Sequence, residues 1–262
     1  MLRSAVTLSA LAYDLVWEAE EIGDKHNALL THSPGATMAE RLAVARPALA
    51  ELNQAGLFDG RRVHPDLKAA MQLIARAHRE LYGWFMPEPG APTRSVLAVA
   101  SGRDGLLAVL AEEQLHLQPI DARELAPAVA GVLPEAKPLR IPTYSVPVAD
   151  LHGGGHRRPE EDGGGYLQRS AAGAGRGAEL DRVRRLLAEP RLGAGQFRAA
   201  GRDRHGRRQV SGAPVDYFDV AGGRYVTYLP AGSDGPEWGL VAPGGRAQLV
   251  ERFSELVAST AN

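Results

Sequence analysis

The residues that most resemble a catalytic motif are one histidine followed by three glycines, His152-Gly153-Gly154-Gly155. The same letters form the oxyanion-hole loop of some esterases, where backbone N–H groups stabilise a developing negative charge. That mechanism also needs a Gly-x-Ser-x-Gly turn between a strand and a helix, and the sequence contains no such pentapeptide. His152 and His156 could also chelate a metal ion, but a glycine tract fixes no ligand geometry. We therefore interpret this tract as a linker without catalytic or metal-binding residues.

The remaining histidines give no recognisable catalytic pattern. His64 precedes a helix start, and His78 and His116 lie among apolar residues, where a structural role is the usual one. The sequence has no His-Glu-x-x-His motif, P-loop or dinucleotide fingerprint, and with no cysteine it has no thiolate nucleophile. These observations favour a binding protein without a cofactor over an enzyme.

The composition is that of a globular protein of 262 residues, with 44% apolar and 23% charged residues. Thirty basic residues oppose thirty-one acidic ones, so no overall field attracts nucleic acid or anionic lipid. No apolar stretch approaches the roughly 20 residues that span a bilayer, and the first residues lack a clean signal-peptide pattern. We expect a cytoplasmic protein without membrane insertion.

The middle of the chain divides it into two parts. Residues 152–178 contain nine glycines and almost nothing apolar, so this stretch cannot offset its ordering entropy by burial. We interpret it as a flexible segment that joins two halves, about 1–150 and 179–262, of a single domain spanning 1–262.

The two halves share an order of elements: helix, two strands, a turn at Gly102-Arg103 or Gly223-Arg224, two further strands and a helix. This order predicts an internal quasi-twofold repeat. It also predicts an α+β fold, in which antiparallel strands of both halves form one continuous sheet flanked by helices.

Turn and cap residues place several elements. Pro65 is suited to a first helical turn, and Asp121 can cap a helix that runs to Val132. The chain ends in an amphipathic helix from Arg246 to Val257, whose inward face carries Leu249, Phe253 and Leu256.

A proline-rich stretch separates the predicted strands Leu81–Met86 and Ser95–Ala100. It is too rich in proline for a tight hairpin, so we expect a protruding loop that the prolines hold extended, with little entropy left to lose on binding. We take Pro87, Glu88, Pro89 and Pro92 as candidate partner contacts; an ordinary connection between strands is the alternative. Trp17, Trp84 and Trp238 are aromatic residues for the core or sheet, any of which could line a partner groove.

Three stretches carry a resemblance to a known family. They are residues 8–18, with Asp14 and Trp17, residues 217–225, and Trp238 followed by Pro243 before the last helix. In this order they resemble the EspG family, in which a strand leads into a helix with such an aspartate and tryptophan, and a late hairpin carries Asp and then Gly-Arg-Tyr.

The resemblance implies a fold, a function and a partner. Members of the EspG family have a central antiparallel sheet with two helical bundles in quasi-twofold arrangement. They are cytosolic, non-catalytic chaperones that recognise the PPE subunit of PE–PPE pairs before type VII (ESX) secretion. The resemblance therefore implies a PPE-like partner, and Trp238 joins the candidate contacts.

Two other functions stay open at this point. One is a small-molecule hydrolase, which a ligand bound in a polar pocket would reveal. The other is a self-assembling scaffold that uses an exposed sheet edge, which includes the case of a homodimer.

Overall fold

The structure is a computed structural model that describes residues 1–31, 38–148, 171–230 and 238–260. In these residues the α-helices are α1 (Ala10–Ala19), α2 (Met38–Gln54), α3 (Pro65–Arg76), α4 (Leu125–Val132), α5 (Ala171–Leu187) and α6 (Arg246–Ser259). A short 3-10 helix covers Asn27–Leu29. The strands are β1 (Val6–Ser9), β2 (Arg79–Met86), β3 (Arg94–Ser101), β4 (Asp104–Ala111), β5 (Gln114–Asp121), β6 (Tyr144–Pro147), β7 (Gly193–Arg202), β8 (Arg208–Val210), β9 (Val215–Val220), β10 (Gly223–Tyr228) and β11 (Trp238–Pro243).

All eleven strands belong to one sheet, in the order β1-β5-β4-β3-β2-β7-β9-β10-β11-β6, with β8 paired to the second half of β7. The two halves of the chain meet in the antiparallel pair of β2 and β7, in which Arg79 lies opposite Gly201 and Met86 opposite Ala194. The α+β class and the continuous antiparallel sheet are therefore confirmed. The quasi-twofold relation between the halves stays a prediction.

One face of the sheet is covered by α4 and α6. Val129 of α4 and Leu249 and Phe253 of α6 are buried against Phe197 and Tyr217 of the sheet. The Phe253 ring lies 4.7 Å from the Phe197 ring, centroid to centroid. The C-terminal helix is thus an integral part of the core, as its apolar periodicity predicts.

The opposite face carries two separate helical layers. Helices α1, α2 and α3 and the 3-10 helix cover the strands of the first half, whereas α5 covers β6, β10 and β11. Between these layers, β7 and β9 present Gln196, Arg198 and Asp216, of which Gln196 is exposed and the other two are half-buried. We call these three residues the central strip.

Local signals in the sequence account for several element boundaries. The Ser9 hydroxyl accepts the N–H of Ala12 at 3.1 Å and caps α1. The His64 ring accepts the N–H of Asp66 at 3.2 Å, and Pro65 occupies the first turn of α3, as predicted.

Some predicted boundaries are wrong. Asp121 ends β5 and accepts the N–H of Arg123 in a turn at 2.8 Å, whereas α4 begins only at Leu125. The second hairpin turns at Ala221-Gly222, because Gly223 is already paired with Val220. Helix α5 takes in residues 171–178, which the glycine content assigned to the flexible segment. Residues 149–170 lie outside the described residues.

Within the described parts of the chain, no helix is long and apolar enough to cross a membrane.

Candidate functional site

The loop between β2 and β3 bends at its tip through a β-turn. The N–H of Ala91 donates to the carbonyl of Glu88 at 3.1 Å, and Gly90 between them has a φ of 81°. Proline at the second position and a positive φ at the third are the pattern of a type II turn. Glu88, Pro89 and Pro92 are exposed, so the predicted protruding loop is present. Its tip is bent and fixed by the turn, whereas the sequence predicted an extended segment.

The base of this loop is held by close approach of β7. A Cβ on Gly193 would lie 3.2 Å from the carbonyl oxygen of Pro87 and 2.9 Å from a carboxylate oxygen of Asp219. Glycine therefore lets β7 reach the end of β2, and Pro87 is half-buried there. The loop leaves the sheet from a rigid base.

Trp84 lies beside the loop and borders two depressions on the sheet face that carries the central strip. One depression, of about 390 Å³, is lined by Leu30, Pro92 and Thr93 among others. The other, of about 430 Å³, is lined by Gln196 and Phe218 among others. Since Trp84 is half-buried and contributes to both, the two depressions form one groove on either side of its indole. We call this the Trp84 groove.

Apolar side chains with a polar border make up the Trp84 groove. Leu30 is 61% exposed and lines the same depression as Trp84. At the other end the Arg191 guanidinium lies 4.3 Å from the centre of the Phe218 ring. Asp216 and Gln196 supply polar groups beside the ring. An apolar centre with a polar rim is the usual composition of a protein-binding surface.

Trp238 is exposed but lies far from the proline-rich loop. Its side chain is 49% exposed at the start of β11, and it pairs with Pro147 of the edge strand β6. Strand β11 is four positions from β2 in the sheet, about 19 Å away, and Trp238 lies toward the opposite strand ends from the loop. The structure therefore brings Pro87, Glu88, Pro89 and Pro92 together and places Trp238 on a separate surface.

The sequence did not single out Leu30 and Phe218 for this site, and Trp84 was only one of three tryptophans. Alternation along β2 places Trp84 and Tyr82 on one face, and the tryptophan ring packs edge-to-face on Tyr82 at 5.9 Å. The alternation of side chains along β2 does not show where the helical layers over the sheet end. Trp84 lies at the edge of such a layer and is therefore only half-buried.

The histidines in the described parts of the chain do not converge on a catalytic centre. His78 and His116 are exposed, contrary to their apolar sequence neighbourhood, and hydrogen-bond to the hydroxyls of Ser101 at 2.8 Å and Thr7 at 2.9 Å. No group of three or more histidine and acidic residues that could hold a metal ion occurs in the described parts of the chain. His152 and His156 lie outside those parts.

Apart from the exposed Trp238, the residues named for the family resemblance are structural. Asp14 is buried and pairs with Lys25, and the indole N–H of Trp17 donates to the carbonyl of Gly23 at 2.7 Å. In the late hairpin, Arg224 holds both carboxylate oxygens of Asp219, at 2.7 and 2.8 Å. Such pairs fix the positions of elements and leave partner contacts to other residues.

A second polar cluster lies near the far end of β2. Glu80 is 2% exposed; its carboxylate accepts a hydrogen bond from Arg208 at 2.8 Å and lies 3.4 Å from Nε2 of His26. Burial raises the pKa of Glu80, but the hydrogen bonds and charges of His26 and Arg208 outweigh it and hold the pKa below its usual value. The cluster joins the 3-10 helix, β2 and β8.

Comparison with known proteins agrees with the fold. The sequence model of the EspG family matches residues 9–255. The type VII secretion system chaperone EspG5 of Mycobacterium tuberculosis, solved in complex with a PE25–PPE41 dimer, is similar in structure with a TM-score of 0.67. The similarity has 15% sequence identity and covers 99% of this chain and 97% of that chain. Among curated proteins, no sequence matches this one.

Proposed function

Because the chain belongs to the EspG family, we propose that it is a non-catalytic, cytoplasmic chaperone of type VII secretion that binds the PPE-like subunit of a PE–PPE pair. The similar EspG5 structure was solved with a PE25–PPE41 dimer, which supports this class of partner. Binding would cover the apolar end of the helical substrate and keep it soluble until export.

The observation that carries this proposal is the Trp84 groove. A half-buried tryptophan between two depressions can accept apolar side chains of a helix on either side of its ring. Leu30, which is 61% exposed, offers further apolar area that a partner would remove from water. The fixed sheet beneath keeps the ordering entropy of binding low.

The proline-rich loop is the second part of the proposed site. The loop borders the groove at Pro92, which lines the depression on the side of Leu30, and Pro87, Glu88 and Pro89 precede it in the same loop. The turn at Pro89-Gly90 holds this border in place, so a partner meets a surface that is already ordered.

Trp238 stays a proposed second contact. Alternation along β11 places Trp238 on the sheet face of Ala242, which α4 and α6 cover, whereas Trp84 lies on the opposite face. A partner that contacts both Trp238 and the loop must therefore extend about 19 Å across the strands and also pass from one face of the sheet to the other. Trp238→Ala should then weaken binding less than Trp84→Ala, because its half-exposed indole lies away from the Trp84 groove.

The test is co-expression with the PE–PPE pair encoded nearest to this gene. We expect the pair to be soluble only with this chain and to co-elute with it as a 1:1:1 complex on size exclusion. Replacing residues 87–92 with a Gly/Ser loop of equal length should weaken the complex. A pair that is equally soluble alone and never co-elutes would contradict the chaperone function, whereas binding that survives the replacement would contradict only the role of the loop.

A further inference from the structure

The hairpin of β7 and β8 concentrates positive charge that the proposed function does not use. Residues 198–208 contain five arginines and a single aspartate, although the whole chain has a net charge of −1. Arg204 and Arg207 are exposed at the tip, and in the described part of the chain no carboxylate forms an ion pair with either. The hairpin is therefore a local cationic surface.

The tip of this hairpin is rigid. One carboxylate oxygen of Asp203 accepts the N–H groups of His205 at 2.8 Å and Arg207 at 2.9 Å, and Gly206 adopts a φ of 76°. Arg202 anchors the base, because its guanidinium donates to the carbonyls of Ala75 and Ala77 at the end of α3, both at 3.0 Å. The exposed arginines thus project from a fixed frame.

The outer edge of β8 carries backbone groups that point away from β7. The bonds from Ser211 N–H to Ala199 and from Asp203 N–H to Arg207, at 2.8 and 3.0 Å, fix the alternation of the antiparallel ladder. By that alternation the N–H and C=O groups of Arg208 and Val210 face outward. No backbone hydrogen bond to another described residue uses the N–H of either one. All three residues of β8 are exposed, and Val210 is 44% exposed.

We propose that this edge binds an acidic, extended peptide segment of a second protein, which adds to the sheet as a strand beside β8. The backbone groups of Arg208 and Val210 bond the peptide backbone, and Arg204 and Arg207 pair with its carboxylates. Val210 and Arg208 lie on the face shared with Ala200 and Arg202. The peptide that fits this edge therefore carries an apolar side chain opposite Val210 and an acidic side chain near Arg207.

The same features disfavour nucleic acid as the ligand. Outward-facing backbone N–H and C=O groups are matched by another peptide backbone. The described hairpin presents no exposed phenylalanine, tyrosine or tryptophan on which a base could stack, and its one exposed ring is the imidazole of His205. The site is also separate from the Trp84 groove, since Arg202 is eight positions along β7 from Ala194, a distance of about 26 Å.

Fluorescence anisotropy with the full chain tests this assignment. The probe is a labelled twelve-residue peptide in which glutamate alternates with threonine and valine, compared with the same peptide N-methylated at alternate residues. We expect binding that weakens at least about tenfold for R204E/R207E and for the N-methylated peptide, and that weakens from about 50 to 300 mM NaCl. The matched control, R182E/R185E on exposed positions of α5, should bind as the unmodified chain does.

Three results would overturn the proposal: equal binding by R204E/R207E and by the control, equal binding of the N-methylated peptide, or tighter binding of an oligouridylate of similar charge. The proposed chaperone function is separable, because R204E/R207E should still form the complex with the PE–PPE pair. Loss of that complex, with the protein folded, would place the hairpin in the chaperone site and contradict a separate surface.

Discussion

The two faces of the sheet differ in how completely helices cover them. On one face, α4 and α6 form a continuous layer over Phe197 and Tyr217. On the other, the described helices of the two halves leave a gap, in which Trp84 is half-buried and Gln196 is exposed. The same strands thus build a closed core on one side and an open groove on the other. This difference separates residues that hold the fold from residues free to bind a partner.

The largest expected effect is on the closed face. Phe253→Ala should lower the free energy of unfolding by about 3–5 kcal/mol, because Phe253 is fully buried against Phe197. Chemical denaturation measures the loss, and Phe253→Leu, which leaves a smaller cavity, should lose less. A Phe253→Ala protein as stable as the unmodified chain, but unable to bind the PE–PPE pair, would make Phe253 a partner contact and remove the distinction between the faces.

The open face should show the reverse pattern. Trp84→Ala should weaken binding of the PE–PPE pair by about 2–4 kcal/mol, as expected for an aromatic residue at the centre of an interface. Calorimetric titration gives the affinity, and denaturation should show a smaller loss of stability than Phe253→Ala. Leu49→Ala, which truncates a 37% exposed leucine on α2, is the matched control and should leave the affinity unchanged. Equal affinities for the Trp84 and Leu49 variants would contradict the groove.

Glu80 tests whether the far end of the open face is structural. Glu80→Gln should cost about 2 kcal/mol of stability near neutral pH, because it removes a buried charge from His26 and Arg208. The folded state lowers the pKa of Glu80. The stabilisation that ionised Glu80 gives the unmodified chain is therefore fully present above the unfolded pKa of about 4.3. It is lost as the pH falls through the folded pKa.

The pH dependence gives the control for Glu80. The difference in unfolding free energy between Glu80→Gln and the unmodified chain should shrink at acidic pH. Glu112→Gln, whose carboxylate is 69% exposed beside Arg94, should show little difference at any pH. A Glu80→Gln difference that grows on acidification would reverse the assigned direction of the pKa shift.

The smallest expected effect is at the loop tip. Pro89→Ala should weaken partner binding by about 0.5–1 kcal/mol, because alanine at this position loosens the free loop but keeps the turn possible. Gly90→Ala places a Cβ at a φ of 81° and should weaken binding further. Affinities measured by titration that rank Pro89→Ala below Gly90→Ala would contradict the preorganised turn.

The sequence predicts covered faces better than gaps between helices. The periodic apolar residues of α6 identified Phe253 as core, and proline with glycine identified the loop after β2. Neither signal reports how far apart α5 and α1 to α3 lie over the sheet, and that spacing exposes Gln196 and the edge of Trp84. Leucine is a residue type usually found in the core, and only the tertiary arrangement leaves Leu30 at the surface.

Helix boundaries were also hard to predict where a residue can serve two different local structures. Asp121 could cap a helix or close a turn, and its hydrogen bond to the N–H of Arg123 places it in the turn. Residues 171–178 contain glycines at alternate positions, yet they belong to α5. Their glycine content predicted a linker, because composition does not show that these residues are the first part of a helix that continues to Leu187.

Hydrogen exchange with and without the PE–PPE pair tests the central claim most directly, because it reports on both faces of the sheet in one experiment. The account predicts that binding slows exchange in peptides covering residues 84–93 and 194–198, while peptides of α4 and α6 exchange as they do in the free protein. Protection confined to α4 and α6, with residues 84–93 unchanged, would contradict the assignment of the open face as the binding surface.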